Sequence, residues 1–532
     1  MFKVLVKTRR GVFGVVSAAL LASGGAACAQ VVTLKTASDG VVAEYVLPSA
    51  ARTLTFADKG VVRTDWRAEA VTLAADGVTA PAPVTRFSLR LLPDTTESNR
   101  GYIALTRVGE GYVLYAPALA GEGMTLKLRA KAPAGWVLEP ERDANGYVYL
   151  GPKSAVSMLA NGKGRLITSP TVAPVLRKAT ASAFADAVVF YAARFGSPTK
   201  SPTLVVTTQG AGPGSSRGDV TDTGVISARF HGETWKAPSP DDLDEVGKFV
   251  FHETAHDWNS HTAKPREGVS WIHEGGAEYA AIVGAVSTGH LSREAALADL
   301  SGNLTGCRRR IGMRAPGAER MTGSGAYDCG VAVQWIADME LRRASNGRRS
   351  IFDVWARLIE RARHGQVEYG PEDFRALLAP DTAVILLLDG PGDRRWAEVE
   401  RRLSALGVSW TNRPSRQDLV TAALSHLNRQ NCKAGSSTGF YIREGGILMD
   451  NAETCGPLSG GVGLAKVEGF DPLAQAAAMF DAVQARCAAG QAVTLTVVGS
   501  DQTKAAACAA PLATPVAYSL SQAPDFTLPF KH

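Results

Sequence analysis

Between residue 31 and about residue 165, apolar positions come in short β-branched or aromatic runs: "VVAEYVL", "TRFSLRLL", "GYIALTRV", "GYVLYAPAL", "MTLKLRAKA" and "GYVYLG". Gly, Pro and Asp interrupt them, the punctuation of a β-sandwich or layered sheet. No polar cluster in this stretch suggests chemistry. Around residue 175 the period becomes helical. "LRKATASAFADAVVFYAARFG" carries apolar residues at helical spacing and stops at Gly196, a plausible C-cap. Buried strands are expected at 203–208 and 224–232, with "GAGPGSSRGD" as a flexible loop between them. Ser239, followed by acids in the first turn, predicts the start of a long helix. Amphipathic segments from 290 to about 425 predict a helical lobe. After 425, glycine-rich strands before and after "PLAQAAAMFDAVQARCAAG" predict a small α+β domain.

At 532 residues the chain is too long for one core, and several domains are expected. A net charge of +6 is modest at this length and makes no case for nucleic acid. Lys3, Lys7, Arg9 and Arg10 precede an apolar run of small and aliphatic residues, and Ala27-Cys28-Ala29 fits a small-x-small cleavage site. Residues 1–29 therefore read as a signal peptide, the mature chain starting at Gln30 and going to the periplasm or beyond. Lipidation at Cys28 is the alternative, but Gly25 stands where a lipobox prefers Leu. No later segment approaches the ~18 apolar residues of a membrane span. The six remaining cysteines are an even set in an exported chain, which favours disulfides. Sequence proximity pairs them 307–329, 432–455 and 487–508.

Candidate chemistry gathers in "FHETAHDWNSHTAKPREGVSWIHEGGAEYAA", residues 251–281, which holds four of the nine histidines. His252-Glu253-Thr254-Ala255-His256 is H-E-x-x-H. On a helix the two histidines share one face, so both imidazoles can point at one metal, with Glu253 beside them to take a proton from water. Taken alone the pattern also fits an exposed polar helix turn. A catalytic zinc needs a third protein ligand and an open position. "WIHEGGAEYAA" reads as a second helix presenting Glu274, separated from His256 by a loop with Pro265 and Gly268. Glu278, four residues further, shares the Glu274 face. It either accepts a hydrogen bond from a ligand imidazole or is a solvated glutamate.

This constellation resembles the gluzincin metallopeptidases. "W-I-H-E-G-G-A-E-Y" is similar to their segment carrying the third ligand, and His252, Glu253, His256, Trp258 and Asn259 match the H-E-x-x-H-x-W-N of the glycyl aminopeptidase family. Tyr327 and Gly330, in "AYDCGVAVQWIADMELRRASNGRRSIFDVWARL", match the Tyr-x-x-Gly of gluzincin aminopeptidases. The resemblance implies one Zn2+ per chain on His252, His256 and Glu274, Glu253 as proton acceptor, and Tyr327 as donor to the oxyanion of the tetrahedral intermediate. It covers roughly 165–425 and implies a thermolysin-like catalytic domain with a helical lobe. It also implies a β-rich N-terminal domain and a C-terminal PDZ domain. For the last, "STGFYI" resembles a degenerate carboxylate-binding loop, and a cystine-stabilised accessory domain is the alternative.

The expected architecture is thus multidomain α+β. Residues 30–165 form a β-sandwich-like domain, 166–425 the thermolysin-like catalytic domain and 426–532 the PDZ-like domain. The expected function is a zinc-dependent metallopeptidase acting on peptide substrates, aminopeptidase-like by resemblance. The alternative is an exported peptide-binding or scaffold protein with a structural or vestigial zinc site. Exopeptidase specificity rests on likeness alone, because "VTDTGVISARFHGETW" lacks the Gly-x-Met-Glu-Asn strand of aminopeptidase N relatives. Glu233 and Glu267 are candidates for an ammonium, and His231 for the cleft wall; His261 and His273 flank the ligands without a role. The basic runs 307–314 and 341–349 read as solvated faces or, alternatively, as a surface for anions.

Overall fold

The structure is a computed structural model. The described residues are 29–530 apart from 64, 95–101, 141–144, 160–161, 211–213, 312–323, 379–391, 435, 437, 444–445 and 501. All but the last residue of the expected signal peptide falls outside them, as does Cys28. So do parts of the first basic run and of "STGFYI".

The chain forms two compact units. One comprises the residues up to 106 with 114–144 and 148–150, and the other 107–113, 145–147 and 151 onward. The first is built on a six-stranded sheet in which Gly77–Leu91, Val41–Thr55, Ala29–Thr36 and the edge strand Thr125–Lys131 lie side by side in that order. Alternation buries Val32 and Leu34 with Val41, Ala43 and Tyr45 on one face, as period-two patterning requires.

The second unit begins with a five-stranded sheet in the order Val156–Met158, Arg165–Thr168, Thr203–Gln209, Val225–His231, Ser215–Val220. The middle three strands are parallel. Such a pair needs a crossover, supplied between Arg165–Thr168 and Thr203–Gln209 by helix α1, Pro174–Phe195. "GAGPGSSRGD" is not wholly a loop: Ser215–Val220 is an edge strand, antiparallel to Val225–His231. Its serines, glycine and charges hide it from any hydrophobic pattern, because an edge strand need bury only part of one face.

Helix α2, Pro240–Asn259, starts at Ser239 through a capping box. Ser239 Oγ accepts from the Asp242 amide (3.2 Å), and the Ser239 amide donates to Asp242 Oδ2 (2.8 Å). Helices α3 (Ser270–Thr288), α4 (Arg293–Ile311), α5 (Ser324–Ala344) and α6 (Ile351–Arg363) follow. Their shared core is strongly aromatic, with Phe190, Tyr191, Phe251, Trp258, Trp335 and Phe352 buried together. Among the described residues, no helix is long and apolar enough to cross a membrane.

Beyond residue 415, helix Arg416–Asn431, a five-stranded antiparallel sheet and helix Ala476–Ala488 enclose a separate core around Leu424, Leu464, Met479 and Val483. The disulfides are 307–329, 432–455 and 487–508, as proximity predicts. The chain then returns to the helices. Strand Tyr518–Gln522 pairs with Ser409–Asn412, and the Tyr518 and Leu520 amides donate to Thr305 Oγ1 (2.8 Å) and Ser301 Oγ (3.0 Å). Arg342 donates to the carbonyls of Phe526 and Thr527, and the Leu528 amide to Ser287 Oγ. Phe526 is 1 % exposed within the helical core. This tail therefore acts as a strap over α3, α4 and α5. Phe526→Ala is expected to cost about 3–5 kcal/mol and to lower the thermal midpoint of the helical unit. The same change at exposed Met158 should leave it in place, as scanning calorimetry would read.

Candidate active site

The H-E-x-x-H segment lies in the last two turns of α2, where His252, Glu253 and His256 are buried. Glu274 projects from the first turns of α3. His252 Nε2 and His256 Nε2 are 3.2 Å apart, and Glu274 Oε2 lies 3.5 and 3.6 Å from them. A point equidistant from these three atoms lies about 2.0 Å from each, the length of zinc–nitrogen and zinc–oxygen bonds. The donor set therefore fits a zinc ion on two imidazoles and one carboxylate. Among the described residues one other trio comes comparably close, His426 with Cys487 and Cys508. Its sulfurs are committed to a disulfide, so it offers no thiolate.

Both ring orientations are held from behind. His252 Nδ1 stands 2.8 Å from Glu278 Oε2, an ion-pair distance without a well-aligned hydrogen bond. The other Glu278 oxygen faces Lys248 Nζ (3.4 Å), which also reaches Asp299 (2.8 Å). Burial works against the Glu278 charge, but Lys248 and His252 outweigh it and hold the carboxyl at about 2. On the other side, His256 Nδ1 pairs with Asn259 Oδ1 (3.0 Å), and Asn259 Nδ2 donates to the His273 carbonyl (2.8 Å). His273 Nε2 is 3.0 Å from Glu274 Oε1. Burial opposes the Glu274 charge as well, yet the three imidazoles keep its carboxyl far below the usual range.

Glu253 lies beneath the edge strand. A Cβ on Gly218 would come 2.2 Å from Glu253 Cδ, so the carboxylate occupies the space that glycine leaves. Burial pushes the Glu253 carboxyl up to about 7; His252 opposes the shift, while Asp219 and Glu274 add to it. Asp219 is tied to Arg229 (2.7 Å) and to the Tyr147 hydroxyl (3.1 Å).

Tyr327 stands at the start of α5, 38 % exposed, with its ring 5.9 Å from that of His252. Partial burial and then the Glu274 carboxylate raise the phenol, so it stays protonated at neutral pH. Its place depends on a helix crossing with no room for side chains. A Cβ on Gly275 would meet Gly330 Cα at 2.2 Å, and one on Gly330 would meet the Trp271 carbonyl oxygen at 2.3 Å. Tyr327 and Gly330 lie one turn apart, so the contact that joins α3 to α5 also brings Tyr327 to Glu274.

All six residues singled out in the sequence, His252, Glu253, His256, Glu274, Glu278 and Tyr327, thus converge. His273 joins them at Glu274 (3.0 Å), whereas Glu233 and His261 have partners elsewhere. Glu233 is exposed and paired with Lys236 (2.6 Å), and His261 pairs with Asp222 (2.7 Å). Gly218, Lys248 and His273 were missed as contributors. Only His273, adjacent to a ligand, carried a sequence signal.

No family model and no curated protein matches the chain. Solved structures do. A crystal structure of an aminopeptidase N family protein from Idiomarina loihiensis is 14 % identical, with a TM-score of 0.64 over 92 % of this chain and 98 % of that one. An M1 zinc metallopeptidase from Deinococcus radiodurans is also 14 % identical (TM-score 0.38, 73 % of this chain and 94 % of that one). Legionella pneumophila aminopeptidase A in complex with aspartic acid is 11 % identical (TM-score 0.39, 69 % and 49 %). The Idiomarina likeness spans nearly both chains and establishes a shared mixed α+β multidomain fold.

Two outcomes follow from this geometry. Gly218→Ala displaces a side-chain end, not backbone, so the protein should fold and leave the His252–His256–Glu274 trio intact, while any turnover that depends on Glu253 falls about 100-fold or more. Purified protein assayed for zinc content and turnover tests this. In protein stripped of metal, the raised Glu253 carboxyl favours the folded state while protonated, and that contribution is lost as pH rises from about 4.5 through about 7. Glu253→Gln should therefore gain stability relative to wild type at pH 8 and show little gain at pH 4.5, read by urea unfolding.

Proposed function

We propose that the protein is an exported zinc metallopeptidase of aminopeptidase-like type, close to the glycyl aminopeptidase family. In this reading its catalytic part is thermolysin-like and its last domain PDZ-like. The observation that carries the proposal is the His252–His256–Glu274 triangle with the Glu253 carboxylate beside it. His252, His256 and Glu274 would hold the ion. When bound, zinc supplies a Lewis acid that polarises a carbonyl and lowers the pKa of water.

The chain's own groups supply the rest. Glu253, pushed up to about 7 by burial, is matched to neutral pH for taking a proton from the attacking water and returning it to the leaving amine. Tyr327 keeps its phenolic proton and donates it as a hydrogen bond to the oxygen of the scissile carbonyl as charge develops there. Glu278 and Asn259, behind the Nδ1 atoms, keep both imidazoles with Nε2 towards Glu274. A structural or vestigial site needs neither a buried carboxylate beside the ligands nor a protonated phenol facing them. Three disulfides and the basic-then-apolar leader support export.

Glu253→Gln is expected to retain about one zinc per chain and to lose at least 10²- to 10⁴-fold in kcat. Metal analysis and hydrolysis of a mixed library of free and N-blocked peptides would check both points. Preference for free amino termini would support the aminopeptidase reading. Full activity in the Gln variant would sink the mechanism, and bound zinc without cleavage of any peptide would favour a scaffold.

A further inference from the structure

We propose that His273 is a positioning residue that restricts Glu274 to metal contact through one oxygen. This rests on the zinc reading of the site. The two sides of the Glu274 carboxylate are differently occupied. Oε2 faces both ligand imidazoles, at 3.5 and 3.6 Å, whereas Oε1 lies 3.0 Å from His273 Nε2. A carboxylate free to rotate can offer either one oxygen or both to a cation. Here rotation that brings Oε1 inward must break its contact with His273.

The backbone that carries this ring is anchored. Asn259 Nδ2 donates to the His273 carbonyl (2.8 Å) while Asn259 Oδ1 pairs with His256 Nδ1 (3.0 Å). One amide thus ties the backbone at residue 273 to the imidazole of a ligand. The His273 and His256 rings lie 5.8 Å apart, so His273 flanks the ligand set without joining it. Its Nε2 is turned to Glu274 rather than towards the point shared by the three ligand atoms.

The consequence is room on the ion. Three one-atom ligands leave a position for water and allow expansion to five contacts when a substrate carbonyl arrives. A two-oxygen glutamate fills one of those places beforehand. His273 therefore serves by keeping a coordination position open, through Glu274, without touching substrate.

Cobalt(II) substituted for zinc in the full-length protein reads this directly, since its visible spectrum distinguishes four-coordinate from five-coordinate ions. Wild type should give the intense four-coordinate absorption, and His273→Ala the weaker five-coordinate pattern. Zinc affinity, measured against a competing chelator, should fall about 10- to 100-fold in His273→Ala, the usual effect of losing a partner behind a ligand. His273→Gln, whose amide N–H reaches nearly as far as the imidazole Nε2, should restore both readouts. If His273→Ala does not fold, His273→Leu keeps the bulk without the nitrogens and carries the same comparison. Wild-type and alanine or leucine proteins with the same spectrum and the same affinity would overturn the proposal. A wild-type protein that takes up neither cobalt nor zinc would instead overturn the zinc reading on which it stands.

Discussion

One carboxylate, Glu274, lies among three imidazoles, and the surrounding structure is arranged to keep that contact. Taking charge out of water is costly unless each group finds a partner. Here the partners form a chain. Asp299 and Glu278 flank Lys248, Glu278 reaches His252, His252 faces Glu274, and Glu274 reaches His256 and His273. The links join three helices, with α2 contributing Lys248, His252 and His256, α3 contributing His273, Glu274 and Glu278, and α4 contributing Asp299. Displacing any of these helices leaves a buried charge without its counterpart. The polar network thus fixes the register of helices that apolar packing alone holds less specifically.

Close approach matters as much as charge. Gly275 follows Glu274 directly, and its contact with Gly330 sets how near α5 can come. Gly218 does the same for the edge strand above Glu253. Small residues at three points decide where Glu274, Tyr327 and Glu253 stand, although none of them carries chemistry.

The legible parts of the sequence were those with a local cause. H-E-x-x-H needs only helical period to align its histidines, Ser239 with Asp242 closes a cap within four residues, and the cysteines pair with their nearest neighbours. What was not legible depends on distant partners. Ser215–Val220 looks like a loop because its strand character comes from Val225–His231, not from its own residues. The tail around Phe526 shows no helical or strand period that points back to α3, α4 and α5. Arg308, Arg309 and Arg310 read as a basic run, yet they pair with Glu400, Asp418 and Asp328, acids far along the chain or on another helix. Their charge is largely spent on internal cohesion, which weakens the case for a surface that gathers anions.

The edge strand also bears on how a substrate end would be read. Asp219 is the one acid on Ser215–Val220, and Arg229 and the Tyr147 hydroxyl already satisfy it. A carboxylate so engaged is a poor receptor for a peptide's ammonium, because binding one means giving up a nearly buried guanidinium. Gly218, beside it, has no side chain to offer and is needed bare for Glu253. In the aminopeptidase-like reading, recognition of a free amino terminus therefore draws on a carboxylate outside this strand. The proposed reading thereby separates the groups assigned to hydrolysis, which stand on α2, α3 and α5, from the recognition of a substrate's end.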